Sequence, residues 1–104
     1  MAERIRVGNG RIALTREVYS RYLGRIEAVA LTEIDGVPHI LPLRGAAAGG
    51  RLVKQRNLAG DRVIEAGDFL TKYGLGEFSA EREASVQWSA TAGALRIDGL
   101  EAKR

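Results

Sequence analysis

The sequence predicts a mainly β chain with two short helices, folded from two tandem β-β-α-β-β copies that share one core. Three observations predict it. First, Arg11-Ile12-Ala13-Leu14-Thr15-Arg16-Glu17-Val18-Tyr19-Ser20-Arg21-Tyr22 returns as Arg62-Val63-Ile64-Glu65-Ala66-Gly67-Asp68-Phe69-Leu70-Thr71-Lys72-Tyr73, at a constant offset of 51. Along it Arg11 matches Arg62, Glu17 matches Asp68, Arg21 matches Lys72 and Tyr22 matches Tyr73, with Arg6 preceding the first block much as Arg56 precedes the second. Second, short apolar or alternating runs are punctuated by Gly, Asn and Asp, the signature of strands and tight turns. Third, 104 residues suffice for one modest core, whereas halves of roughly fifty residues could hardly close one each. Two copies are too few for a solenoid, so the halves are expected to close about a pseudo-twofold axis. The expected organisation is a single domain over residues 1–104, with repeat one at 1–44, a linker at 45–51 and repeat two at 52–104.

Arg4-Ile5-Arg6-Val7 alternates polar and apolar, predicting a half-buried strand with both arginines outward. Gly8-Asn9-Gly10 is a turn signal, and Arg11 to Leu14 a second short strand. Thr15 is an N-cap candidate, with Glu17 suited to the first turn of a helix. Val18, Tyr19, Tyr22 and Leu23 recur at helical spacing, and Gly24 ends the helix. Glu27 to Ile34 and Val37 to Leu43 are apolar strands joined at Asp35-Gly36, a two-residue hairpin signature. Pro38 and Pro42 lack backbone donors, so the second of these strands is expected at an edge or paired on one side only.

Arg44 to Arg51 reads as the connection between copies. Leu52 to Arg56 is then a strand, Asn57 to Asp61 a turn, Arg62 to Glu65 a strand, and Asp68 to Tyr73 a short helix closed by Gly74. Glu83 to Ala90 alternates, with Ala84, Val86, Trp88 and Ala90 on one face, so Trp88 is expected in the core. Thr91-Ala92-Gly93 turns the chain into a last strand from Ala94 to Ile97. The second copy differs by inserting Gly76-Glu77-Phe78-Ser79-Ala80 after its helix.

Composition narrows the function classes. There is no cysteine, which excludes disulfides, thiolate metal sites and thiol nucleophiles. No apolar run suits a signal peptide or a bilayer span, so a cytoplasmic protein with no membrane partner is expected. Residues 1–51 carry eight arginines, no lysine and five acids, for a charge of +3, while residues 52–104 carry eight bases and eight acids. The planar fork of arginine suits phosphate contacts.

Gly10-Arg11-Ile12-Ala13-Leu14 followed by Tyr22-Leu23-Gly24 resembles the AbrB/SpoVT/MazE swapped-hairpin family, and Asp61-Arg62-Val63-Ile64 to Tyr73-Gly74-Leu75 is a weaker second match. In that family two such units interleave their hairpins into one β-barrel, and two copies on one chain are similar to the MraZ arrangement. Thr15 and Ala66 stand where the family carries proline before the helix, and Arg25-Ile26 follows Gly24 in place of Gly-Asp. A related cradle-loop barrel, of double-psi or RIFT type, is therefore the alternative. The resemblance implies a transcriptional regulator that binds double-stranded DNA through Arg4, Arg6, Arg11 and Arg16, with Lys54, Arg56 and Arg62 as second-copy counterparts. Gly8 and Gly10 would then let the backbone approach the duplex closely. The competing reading makes these arginines solvated or bracing, with Arg11 paired to Glu17 and Arg62 to Asp68. The family's antitoxin form needs a C-terminal segment longer than Asp98 to Arg104, which favours a free-standing regulator.

Other candidates carry less. His39 is the single histidine, on an apolar strand without a second ligand, so it is expected to be structural and no metal site is expected. Gly8-Asn9-Gly10 lacks the Gly-Lys-Ser/Thr of a phosphate loop. Tyr19, Tyr22 and Tyr73 occupy helix positions that should pack on the core. Glu17 and Asp68 could face each other across the pseudo-axis, but acids are favourable at helix starts anyway. With no nucleophile–base pair in view, no enzyme and no cofactor are expected. The alternative to DNA binding is a non-enzymatic barrel whose paired turns, 8–10 and 57–61, cradle a small ligand or protein partner. The chain is expected to be a pseudo-dimeric monomer with room for further homo-oligomerisation.

Overall fold

The computed structural model describes residues 3–44 and 50–101, so most of the expected linker, residues 45–49, lies outside the described residues. β1 (Glu3–Gly8) and β2 (Arg11–Leu14) form a hairpin. Its turn places Asn9 and Gly10 at φ 51° and 71°, the left-handed pair that Asn-Gly tolerates best. The Thr15 hydroxyl then accepts from the Val18 N–H at 3.2 Å and starts α1 (Arg16–Val18), which widens into a π-type turn over Tyr19–Leu23. The Gly24 N–H closes that turn on the Tyr19 carbonyl at 2.9 Å. β3 (Ala28–Ile34) and β4 (Val37–Leu43) are the second hairpin, turned at Asp35 and Gly36 with φ 53° and 78°.

β5 (Arg51–Leu52) and β6 (Lys54–Gln55) come next as two short pieces around Val53, where a single strand from Leu52 to Arg56 was expected. β7 (Arg62–Glu65) leads to α2 (Gly67–Leu70) and a 3-10 turn over Thr71–Tyr73, ended by Gly74 at φ 74°. β8 (Arg82–Ser89) and β9 (Ala94–Asp98) complete the chain.

The nine strands make one sheet in the order β5-β3-β4-β9-β8-β1-β2-β7-β6, and every pairing in it is antiparallel. β5 and β6 stand at opposite ends of that order yet are separated by Val53 alone. Arg51 and Leu52 pair with β3, Lys54 and Gln55 pair with β7, and the Val53 N–H donates to the Glu27 carbonyl at 2.8 Å. One five-residue segment thus joins both ends of the sheet into a nearly closed barrel. Closure removes the unpaired edges that would otherwise invite association.

Alternation places Ile5, Val7, Ile12, Leu14, Ile64, Val86, Leu95 and Ile97 inside, all at most 2% exposed. Because β2 and β7 run antiparallel, α1 and α2 leave from opposite ends of that pair and bring in Val18, Tyr19, Leu23, Leu70 and Tyr73. No helix among the described residues is long and apolar enough to cross a membrane.

Two further expectations fail. β4 is not an edge: it pairs with β3 along its length and with β9 at His39 and Ile40. The prolines shorten this second ladder without preventing it, since the two paired residues are within the interval between Pro38 and Pro42. Trp88 is not core but 41% exposed. Only one further residue pair, Ser89 with Ala94, lies beyond it, so at this rim its ring stacks on Tyr22, with centroids 6.4 Å apart and planes 7° from parallel. His39 is buried, 4% exposed, with Nδ1 2.8 Å from the Val37 carbonyl oxygen.

Gly8 bears much of the junction between the first turn and the segment after α2. It sits at φ 149°, and a Cβ there would lie 2.5 Å from the Ala80 carbonyl oxygen. Gly8→Ala is therefore expected to lose about 3 kcal/mol or more in urea unfolding, against about 1 kcal/mol for Gly93→Ala, where a Cβ meets nothing and only the positive φ is penalised. Equal losses in the two variants would show that packing against Ala80 does not matter.

Candidate functional site

The seven predicted contact residues do not form one surface. Residues directly opposite in a ladder share a face, so Arg6, Ala13, Val63 and Lys54 line up across the outside of β1, β2, β7 and β6. Arg4 and Arg11 point outward with them, and all four cations are exposed. Acids are interleaved among them. Arg4 pairs with Glu83, Arg6 with Glu81 and Arg11 with Glu65, each at 3.2 Å. The pairs are half exposed or more on the arginine side, where a salt bridge contributes little stability, but they cancel the local field. This face is zwitterionic rather than basic.

The bracing pairs differ from those expected. Arg11 meets Glu65 rather than Glu17, because Glu65 is its cross-strand neighbour. Glu17 lies 3.7 Å from Arg16, and Asp68 is taken bidentately by Arg51, with both contacts at 2.7 Å. Glu17 and Asp68 do not pair with each other. Gly8 and Gly10 also serve a different end than expected. Both approach the chain's own backbone, at Ala80 and at Gly67, where a Cβ on Gly10 would lie 3.2 Å from the Gly67 Cα.

Arg62 departs most from expectation. Its register partners are Leu14 and Gln55, and Leu14 is buried, so Arg62 points toward the barrel interior at the rim. Its guanidinium lies over the Tyr19 ring, 4.4 Å from the centroid, a favourable cation–π distance. The ring is fixed in turn, 7% exposed with its hydroxyl donating to the Ile26 carbonyl at 2.9 Å. The Arg62 Nε is buried and has no hydrogen-bond partner.

Arg62 opens into a cleft of about 630 Å³ along the seam where the segment 51–55 closes the barrel. Arg16, Arg25 and Lys54 line it as well, with Glu27 as its one acid. A second cleft of about 790 Å³ adjoins it through the shared Arg25, Glu27 and Leu52, and adds Arg21 and Arg44. Among the described residues Arg25, Arg44, Lys54 and Arg62 make no ion pair, while Arg21 is held by Glu3. Four of the six cations without an ion pair among the described residues therefore gather along this seam, the other two being Arg56 and Arg82. A smaller hollow of about 230 Å³ brings Arg4, Arg6 and Arg56 together, but with Glu83 and Asp61 among them. No group of three or more metal-ligating side chains occurs among the described residues.

The loop beside the seam is held by several hydrogen bonds. Asp61 accepts from the Asn57 side-chain amide and from the Arg16 N–H, each at 3.0 Å, and the Arg56 N–H donates to the Asp61 carbonyl at 2.7 Å. The Asn57 and Arg16 bonds hold the Asp61 carboxyl below the ordinary carboxylate range. At the other end of the barrel the Lys72 ammonium, with the Tyr73 hydroxyl beside it, lowers Glu33. Shielding from water, with the Glu33 carboxylate added, raises the Tyr73 phenol.

The chain matches no protein-family model, no curated protein and no solved structure. Arg25 and Arg44 are the site residues that sequence reasoning missed. They come after a helix and at the end of a strand, positions that no motif singles out, and only closure of residues 51–55 against β3 and β7 brings Arg25 beside Lys54 and Arg62 and Arg44 into the adjoining cleft.

The bidentate Arg51 contact holds the Asp68 carboxyl down at about 2, below its ordinary 3.8. A carboxyl depressed in the folded state stabilises the fold above its unfolded value, and that contribution is lost as pH falls through the folded one. Asp68→Asn is therefore expected to flatten the loss of thermal stability between about pH 4 and pH 2, read by circular dichroism. Because Asp68 is largely exposed, the difference should shrink in added salt. An unchanged acid profile would show that the Arg51 contact contributes nothing to folding.

Proposed function

We propose that the chain is a non-enzymatic duplex-DNA-binding barrel of the AbrB/MraZ type, acting in transcription regulation and built from two tandem swapped-hairpin-like copies. The concentration of unpaired cations along the closing seam carries this reading. A duplex carries a dense line of phosphates, and neutralising them releases counterions. Arg25, Arg44, Lys54 and Arg62 have charge to spare for that purpose, whereas Arg4, Arg6 and Arg11 must first release Glu83, Glu81 and Glu65, and Arg16, beside the cleft, the more distant Glu17. Lys54, Arg16 and Arg62 thus remain contact residues, Arg56 flanks them, and the outer-face arginines become secondary.

The repeat proposal draws support from the pairing pattern. Exchanging the halves turns the β1–β8 ladder into the β5–β3 ladder and the β3–β4 hairpin into the β8–β9 hairpin, while the β2–β7 and β4–β9 ladders map onto themselves. Each helix also begins beside the other half's turn, since Asp61 accepts from the Arg16 N–H and the Ala66 N–H donates to the Gly10 carbonyl.

Fluorescence anisotropy of a labelled mixed-sequence duplex, titrated at two salt concentrations, tests the function. Binding with a Kd on the order of micromolar at low salt, weakening steeply as salt rises, is expected. Replacing Arg25 and Lys54 together by alanine should reduce the slope of log K against log salt by about 2, whereas replacing Arg6 and Arg11 together should change it by less than about 1. No binding at low salt removes the DNA reading altogether. The reverse order of the two double variants would return the contact to the outer sheet face.

A further inference from the structure

We infer that the cleft between Arg62 and Lys54 is a binding site for a phosphate group, carried by a phosphate ester or by a nucleic-acid backbone. The inference rests on the DNA reading where the source is a duplex, and stands apart from it where the source is a free ester. It begins with Arg62. A guanidinium nitrogen sealed from water without an acceptor is unfavourable unless something else compensates the charge, and the Arg62 Nε is in that condition. Arg62 is one of the residues that line the cleft, together with Arg16, Arg25 and Lys54.

Four cations line one cleft and repel one another, and with Glu17 beside Arg16, Glu27 alone is left to offset Arg25, Lys54 and Arg62. A carboxylate brings one charge and two oxygens. A phosphate brings more oxygens, and as a monoester close to two charges, which matches a fork and several point charges better. The fork is also fixed in advance: Tyr19 supports it from beneath and is itself tied to Ile26. Little ordering is then needed on binding, the condition under which a weakly bound anion gains affinity. The cleft is larger than a bare phosphate, and Leu52, 62% exposed between the two clefts, offers an apolar wall to the organic part of an ester.

Proton–nitrogen correlation spectra, including the arginine Nε–H signals, titrated with inorganic phosphate against chloride at matched ionic strength, test the site. The expected result is a saturable shift at Arg62 and Lys54, with Arg4, Arg6 and Arg11 unmoved. Arg62→Ala should weaken phosphate binding about tenfold or more, and Arg62→Lys should restore only part of it, since the ammonium lacks the fork. If Arg62→Ala does not fold, Arg25→Ala tests the same cleft from an exposed position, and an affinity equal to that of the parent chain counts against the site. Shifts that never saturate, or that spread evenly over the outer-face arginines, overturn the inference. Competition with the labelled duplex separates the sources. Phosphate that displaces the duplex marks the cleft as a backbone contact, while phosphate bound without displacement marks it as a site for a free ester. Duplex binding with no response at Arg62 sinks the inference and spares the DNA reading, and phosphate binding without duplex binding does the reverse.

Discussion

Everything in this barrel depends on the backbone pairing of residues 51–55. Without it the sheet would end at β3 on one side and β7 on the other, with both edges open to solvent or to other chains. The segment satisfies both edges by changing partner at Val53, whose side chain is 8% exposed and whose N–H is spent on Glu27. Arg51 adds a side-chain strap, donating at 3.2 Å to the Glu65 carbonyl and bidentately to Asp68 across the same seam. A strand this short could not hold alone, but here it is paired on both sides, with β3 and with β7.

Closure also distributes charge. The register of β1, β2, β7 and β8 puts Arg6 opposite Glu83 and Arg11 opposite Glu65, and Arg4 reaches Glu83 and Arg6 Glu81 diagonally, so acids offset the outer arginines of this face. The seam lacks such compensation, because its residues come from a helix end, a strand end and the closing segment rather than from one ladder. Where a ladder pairs charges through its register, a junction collects whatever its flanking residues carry. Here they carry arginine and lysine, and the proposed activity stems from that local imbalance rather than from the net charge of +3.

The two turns show how similar sequence positions are held by different means. The first turn rests on the segment after α2: the Asn9 N–H donates to the Ser79 hydroxyl, the Asn9 side chain accepts from the Phe78 N–H, and the Gly10 N–H donates to the Leu75 carbonyl. The second turn, Asn57 to Asp61, is held mainly from within and by the start of α1. The insertion at 76–80 thus has a structural use, bracing its neighbour's turn, and it leaves Phe78 at φ 67° and 94% exposed.

The local elements were legible because their causes are local. Ile5 and Val7 alternate with arginines, Thr15 can cap only a helix that starts beside it, Asp35-Gly36 suits only a tight turn, and Gly24 and Gly74 stop helices by backbone conformation. A mainly β fold with two short helices results from such terms alone. Partnership was not legible, because it joins residues far apart in the chain. Periodicity assigned Trp88 to the inner face but could not show that the sheet runs out beside it. The prolines of β4 signalled a weakened ladder, and only the barrel decided that β9 would still pair between them. Charge type likewise marked Arg11 and Arg62 as equivalents. Their register partners, exposed Glu65 for one and buried Leu14 for the other, made the first a surface ion pair and turned the second inward onto Tyr19. Which segments become strands, turns and helices was thus written into the chain, since sterics and hydrogen bonding act within a few residues. Which cations lie together without partners was settled by long-range packing, because that depends on which edges meet when the barrel closes.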